Sequence, residues 1–197
     1  MQNLPFSQAS ENNKDPILEI LNGVFNDCKH VLEIGSGTGQ HAVYFSQHLK
    51  HLQWQPSDRK ENLAGINNRI NAYPQSNLSL ALELDVTQNN WPQHFDAVFS
   101  ANTAHIMPWE ITQIMLQKVA RLLPTGGKFA LYGPFNYEGK FTSASNEKFN
   151  QWLKEMAAHQ GIRDFEKVNA LLYDAAMNLV NDYSMPANNR LLVWKKC

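Results

Sequence analysis

The sequence predicts an α/β fold, a mostly parallel seven-stranded sheet that closes in an antiparallel C-terminal hairpin. Three observations predict it. Short apolar runs of strand length alternate with amphipathic stretches of helix length along the whole chain. Three glycines at every second position, Gly35, Gly37 and Gly39, follow the first apolar run directly. Two strand-like runs at the C-terminal end flank MPANN, a Pro/Asn-rich connection of hairpin type.

Asp15-Pro16 reads as an N-cap followed by proline at the first helical position, with Ile17, Ile20, Leu21 and Val24 on one face. HVLEIG is a strand running into the glycines, and QHAVYFSQHL a helix starting at the last of them. LQWQPSD is a second strand. ENLAGINNRINAY is a helix with Leu63, Ile66, Ile70 and Tyr73 aligned. LSLALELDV alternates strictly, with Leu78, Leu80, Leu82, Leu84 and Val86 on one face, which suits a strand near a sheet edge. FDAVFSANT is a buried-type strand. PWEITQIMLQKVARLLP is an amphipathic helix with Ile111, Ile114, Met115, Val119 and Leu122 inward, and GGKFALYGPF is a fifth strand. Helices over roughly 145–159 and 163–177 precede the hairpin.

The 197 residues fit a single domain, 1–197, with 1–14 as an N-terminal leader. Net charge is -1 and 18% of residues are charged, with no Lys/Arg block, so no direct nucleic-acid partner is expected. The polar N-terminus has no signal-peptide core, and no apolar stretch is long enough for a bilayer. Cys28 and Cys197 match no metal or redox spacing; a cytoplasmic protein with reduced thiols is the simpler reading.

Glycines between a strand and a helix permit positive φ and let a ligand touch the backbone. The helix that follows offers unpaired N–H groups to an anionic group. Two cofactor classes compete for such a turn. GTGQHA, Gly37 to Ala42, fits the dinucleotide fingerprint. The fuller pattern is Glu33-x-Gly35-x-Gly37-x-Gly39. A carboxylate beside a diphosphate repels it, whereas one beside an ammonium is favourable.

With that pattern the chain resembles the class I S-adenosylmethionine-dependent methyltransferases, whose fold is a Rossmann-like sandwich. The resemblance implies S-adenosyl-L-methionine as cofactor, its methionine end surrounded by Glu33, Gly35, Ser36, Gly37 and Gly39. It implies Asp58, in WQPSD, for the ribose, although a dinucleotide ribose would suit Asp58 equally. It implies Asp85 and Val86, in ELDV, for the adenine, and Asn102, in SANT, along the crevice. It also fits the closing hairpin, and it suggests that Asn13 and Lys14 fold over the cofactor as an N-terminal lid; a solvated leader is the alternative. ENNKDPIL, GSGTGQHAVYF, NTAHIMPW, YGPFNYEGKFTS and MPANNRLLVW resemble more narrowly the domain-of-unknown-function family 938, which includes methyltransferase-like 26. That resemblance implies no settled substrate.

Methyl transfer needs mainly an aligned acceptor. His105 is the candidate base in ANTAHIMPW, or a hydrogen-bond donor or acceptor there; the alternative is a structural histidine capping the next helix. Tyr132, Asn136 and Tyr137 in YGPFNYEGKF are candidates for an acceptor pocket, and Asn188 and Asn189 for its rim, although asparagine is also an ordinary turn residue. His41 and His48 share a helix without a carboxylate or thiol to complete a set, so no metal is expected. The expected function is methyl transfer to a small molecule, or to a substrate presented by a partner, because little sequence is left over for acceptor recognition. A cofactor-binding module without turnover and a nicotinamide-dependent oxidoreductase are the alternatives.

Overall fold

In the computed structural model, which describes residues 4–197, the first helix starts well before the Asp15-Pro16 signal. Helix α1 spans Gln8–Val24, and its cap is Ser7, whose side chain accepts from the Ser10 N–H at 3.2 Å. Pro16 lies inside α1, where it removes a backbone donor. The helix survives because tertiary bonds fix its first half: Ser7, Glu11 and Asn13 are all tied to the start of the next helix. Part of the expected leader is therefore helical.

The chain forms two compact units, Met1–Ser100 and Ala101–Cys197. In the first, β1 (His30–Ile34), α2 (Gln40–His48), β2 (Gln53–Asp58), α3 (Lys60–Ala72), β3 (Leu82–Glu83) and β4 (Ala97–Ala101) follow α1. Strand β1 pairs in parallel with β2 and with β4, and β2 with β3. Phe45, Trp54 and Phe99 are fully buried, with ring centroids 5.5–5.9 Å apart. Burying each such ring contributes about 2–3 kcal/mol.

The third strand is far shorter than its alternating pattern predicts, and the cause lies in its neighbour. Trp54 still exchanges bonds with Asn77 O (2.8 Å) and the Ser79 N–H (3.1 Å). The next donor on β2 would be Pro56, which has none. Gln55 Nε2 donates instead to Leu80 O at 2.7 Å, and the Ala81 N–H turns away to Asn67 Oδ1 at 2.8 Å. Pairing resumes only at Ser57–Leu82. Leu80 and Leu82 are exposed and Leu84 and Val86 buried, so the expected common face is not kept. Tyr73, expected on the inner face of α3, is exposed at its C-cap.

The second unit holds α4 (Trp109–Leu122), β5 (Lys128–Gly133), β6 (Phe135–Asn136), α5 (Ala144–Met156), β7 (Arg163–Asp164), α6 (Phe165–Asp174), β8 (Met177–Met185) and β9 (Asn189–Lys196). The inner face of α4 carries Thr112, Met115, Leu116, Val119 and Ala120, a stripe turned slightly from the expected one; Ile111 and Ile114 are half-buried. Strands β8 and β9 form the antiparallel hairpin, joined through Pro186–Asn188, with β9 also antiparallel to β5. The strand order is β3-β2-β1-β4-β5-β9-β8: a seven-stranded, mostly parallel sheet with antiparallel C-terminal strands, and β3 at the edge. Cys28 and Cys197 are not joined by a disulfide. Among the described residues no helix is long and apolar enough to cross a membrane.

Candidate functional site

The glycine turn leaves the C-terminal end of β1, with φ of 73°, 56° and 74° at Gly35, Gly37 and Gly39. Such angles strain any residue that carries a Cβ. The N–H groups of Gly35 and Ser36 both donate to Ser57 O at 3.0 Å, and the Gly39 N–H closes the turn on Ser36 O at 2.8 Å. The glycines differ in task. A Cβ on Gly39 would lie 3.2 Å from Ile66 Cγ2 and 3.4 Å from its Cα, so Gly39 lets α2 pack close to α3. A Cβ on Gly37 would meet nothing within 4 Å. Gly37 is exposed, and the backbone there faces open space.

Asp58, the last residue of β2, reaches this turn. Its Oδ2 accepts the Gly37 N–H at 2.7 Å, and its Oδ1 accepts the Arg59 N–H and Asn62 Nδ2, each at 2.8 Å. Each carboxylate oxygen has two lone-pair sites, so Oδ2 retains one for a further donor. Asn62, which no sequence pattern singles out, fixes the carboxylate from the first turn of α3.

Glu33 lies beneath the turn, not beside its open face. It is 2% exposed and accepts the Trp54 indole N–H at 2.9 Å. Burial pushes its carboxyl up to about 7, against the hydrogen bonds from Trp54 and Ser36 that favour ionisation. Ser36 is buried as well, its Oγ accepting the Ser57 N–H at 3.2 Å. Glu33, Ser36, Gly35, Gly37 and Asp58 thus form one hydrogen-bonded group. Asp85 and Val86 follow β3, just after Leu84, whose N–H donates to Asp58 O at 2.9 Å. Asp85 Oδ1 accepts both the N–H and the hydroxyl of Thr87, at 2.9 and 2.7 Å, and Val86 is buried.

Two residues absent from the sequence reading clamp the turn. Gln40, at the start of α2, is buried: its Oε1 accepts the Ser7 N–H (2.6 Å) and the Thr38 hydroxyl (2.9 Å), and its Nε2 donates to Glu11 (3.2 Å). Arg69 donates through Nε to Thr38 O (2.8 Å) and through its guanidinium to Pro5 O. Asn13 and Lys14 bear on α2. Asn13 Oδ1 lies 2.7 Å from His41 Nε2, and Lys14 pairs with Glu11 and sits over the Tyr44 ring. Burial brings the His41 imidazole down to about 4. Among the described residues, no group of three or more His, Cys, Asp or Glu is placed to hold a metal ion.

In the second unit, Asn102 turns the chain after β4 with φ of 58°, its N–H donating to Tyr132 O at 2.9 Å. His105 is buried and does not cap α4, whose N-cap position is Pro108. Its ring meets Phe149 edge-on at 5.5 Å, and burial, with Arg163 nearby, brings it down to about 4. Tyr132 and Asn136 are buried. Tyr137 donates to Asp182 Oδ2 at 2.7 Å and stacks on Phe165; Asp182 is paired with Arg190. Asn188, at φ of 57°, donates to Ser145 Oγ at 3.0 Å, and Asn189 to Pro186 O at 3.2 Å. His105 and Asn136 are linked through the Arg163 segment, whereas Tyr137 and Asn188 belong to separate groups.

Solved structures share this architecture at low sequence identity. An O-methyltransferase family protein from Burkholderia thailandensis superposes with a TM-score of 0.82 at 16% identity, over 93% of this chain and 56% of that one. An O-methyltransferase family 2 protein from Planctomyces limnophilus, in complex with apigenin, gives 0.82 at 14%, over 94% and 57%. PigF with SAH gives 0.75 at 17%, over 87% and 52%. The chain spans a little over half the length of these proteins. Its fold is that of the class I S-adenosylmethionine-dependent methyltransferases. A family model described as "Protein of unknown function (DUF938)" matches residues 4–196, and the chain belongs to that family.

Proposed function

We infer that the protein is an S-adenosylmethionine-dependent methyltransferase acting on a small-molecule acceptor. The observation that carries the reading is the Asp58–Gly37 hydrogen bond. It sets a carboxylate with a spare lone pair at a positive-φ glycine with open space before it. That pairing suits a ligand with hydroxyl donors and a polar tail, and the fold's solved neighbours, one of them with SAH, support the choice of cofactor. When bound, the cofactor supplies a sulfonium methyl that needs no further activation.

The chain's residues then have distinct tasks. Gly35, Ser36, Gly37 and Gly39 hold the methionine end, with Glu33 bracing the turn from below. Asp58 holds the ribose, Asp85 and Val86 hold the adenine, and Asn102 lines the crevice. Asn13 and Lys14 secure the N-terminal helix, which acts as a lid. Acceptor recognition falls to His105, Tyr132, Asn136, Tyr137, Asn188 and Asn189. At neutral pH His105 is uncharged and, with its pKa near 4, a weak base. It orients the acceptor instead of deprotonating it, so the acceptor brings its own nucleophilic lone pair. No nucleic acid is required as partner.

Calorimetric titration with S-adenosylhomocysteine and with NAD tests the cofactor assignment. Binding of the homocysteine derivative without NAD binding is expected; the reverse overturns it. Transfer of labelled methyl into a fractionated metabolite pool, but not into protein, is expected for the acceptor class.

A further inference from the structure

The Asp58 carboxylate has fewer places open than its position at the end of β2 suggests. Its two oxygens offer about four lone-pair sites. Three of them are filled from within the first unit. The Gly37 N–H takes one on Oδ2, and the Arg59 N–H and Asn62 Nδ2 take both on Oδ1. Oδ1 is therefore saturated, and Oδ2 keeps a single site. That site borders open space, because Gly37 is exposed and a Cβ on it would meet nothing within 4 Å.

Two of the three donors are backbone groups. Asn62 is the one side chain among them, so its bond is the one that residue choice decides. It is the third residue of α3, half-buried, and its own N–H donates to Arg59 O at 3.0 Å. The flanking charges do not compete for Asp58: Arg59 and Glu61 are exposed and pair with each other at 2.8 Å. Nor is the carboxylate free to swing. The carbonyls of Ser57 and Asp58 are held by the N–H groups of Gly35, Ser36 and Leu84, at 3.0, 3.0 and 2.9 Å. Turning both oxygens towards a ligand would leave the Gly37 N–H or the Asn62 amide unpaired.

We propose that Asn62 is a positioning residue that limits Asp58 to one ribose hydroxyl of the cofactor. The proposal rests on the methyltransferase reading. A vicinal diol can meet a carboxylate through both oxygens at once, but here Asn62 and the Arg59 N–H already occupy one of them. The open site on Oδ2 takes a single hydroxyl. A hydrogen bond to an ionised acceptor is among the strong ones, so the two ribose hydroxyls contribute unequally to affinity.

S-adenosylhomocysteine and its 2′-deoxy and 3′-deoxy analogues, titrated by calorimetry into the full chain, test this. In the wild type one analogue is expected to bind about tenfold more weakly than the parent, and the other within about threefold of it. Asn62→Ala frees Oδ1 for the second hydroxyl. The variant is expected to fold, since the buried residues of α3 are Ile66 and Ile70. In it, loss of either hydroxyl is expected to weaken binding by about tenfold. A merely structural role for Asn62 would weaken all three ligands together and leave their ratios unchanged, which overturns the proposal. So do equal losses for the two analogues in the wild type. Failure of the parent to bind brings down the methyltransferase reading itself, whereas a parent that binds with both hydroxyls counting equally removes only the role given to Asn62.

Discussion

The Asp58 carboxylate accepts the Gly37 N–H at 2.7 Å, joining the end of β2 to the middle of the glycine turn. Its other oxygen holds the Arg59 N–H and Asn62. Asp58→Ala leaves these donors unpaired, and the expected loss is about 1–3 kcal/mol of unfolding free energy by urea titration. On the proposed cofactor assignment the same variant is expected to weaken S-adenosylhomocysteine binding at least about tenfold, because Asp58 would be the charged acceptor for the ribose. A variant with normal affinity would remove Asp58 from the cofactor site.

Gly37 and Gly39 share a backbone conformation but not an environment, so alanine should separate them. At both sites the positive φ costs roughly 1 kcal/mol. At Gly39 the added methyl also presses on Ile66, whose Cα cannot yield without shifting α3. Gly39→Ala should therefore melt well below Gly37→Ala. Gly37→Ala should keep most of its stability and, on the proposed cofactor assignment, lose S-adenosylhomocysteine affinity, since its methyl projects into the open space at the turn. Equal melting temperatures for the two would refute the division of labour.

The glycine turn was legible in the sequence because its chemistry is local: glycine at alternate positions directly after a strand has few other uses. The helix–strand order was legible for the same reason, since hydrophobic period is a local property. The sequence pattern overstates strand β3 because the interruption comes from Pro56, on another strand. The local pattern understates helix α1 because bonds to α2 override an internal proline. Gln40, Arg69 and Asn62 were invisible, since a glutamine or arginine announces no partner until the fold brings one near: Gln40 meets Ser7 across 33 positions, and Arg69 meets Thr38 across 31. Glu33 was visible as an acid but not as a buried one. Residue type and loop position mark the acceptor candidates, but only the fold separates Asn136, buried in β6, from Asn189, half-buried and donating to Pro186 O across the hairpin turn.

Glu33 predicts a pH dependence of defined sign. Its carboxyl holds a proton up to about pH 7 in the folded protein and releases it near 4.5 when exposed. Between those values the folded state binds more protons, so this residue's contribution to stability falls as pH rises. The shift corresponds to roughly 3 kcal/mol across the window. His41 acts oppositely: its pKa is lowered, so the stability it gives is present above its ordinary value of 6.5 and lost as pH falls towards about 4. Comparing wild type with Glu33→Gln removes the His41 effect, since both proteins share it. The variant is expected to gain on the wild type steadily from pH 4.5 to 7, measured by urea unfolding, with the Trp54 bond kept by the amide oxygen. A constant difference between the two would show that Glu33 is not held protonated.

Gln40 predicts how the N-terminal helix is retained. Its side chain is the junction of three segments: the Ser7 cap, Glu11 in the first turn of α1, and Thr38 in the glycine turn. Gln40→Ala removes one bond from each of the three while leaving the Ser7 cap on Ser10, the Glu11–Lys14 pair and the Arg69 bond to Thr38 intact, so α1 keeps its local start signal but loses this anchor. The cost is expected at about 1–3 kcal/mol. Amide hydrogen exchange should accelerate in the N-terminal half of α1 and at Thr38 together, because the same side chain restrains both. Gln40→Glu separates the contributions: its carboxylate still accepts from Ser7 and Thr38 but repels Glu11, so exchange should rise around Glu11 and stay slow at Thr38. If alanine leaves exchange in both segments unchanged, the N-terminal helix is held by its apolar contacts alone, and occupancy of the glycine turn has no route through Gln40 to it.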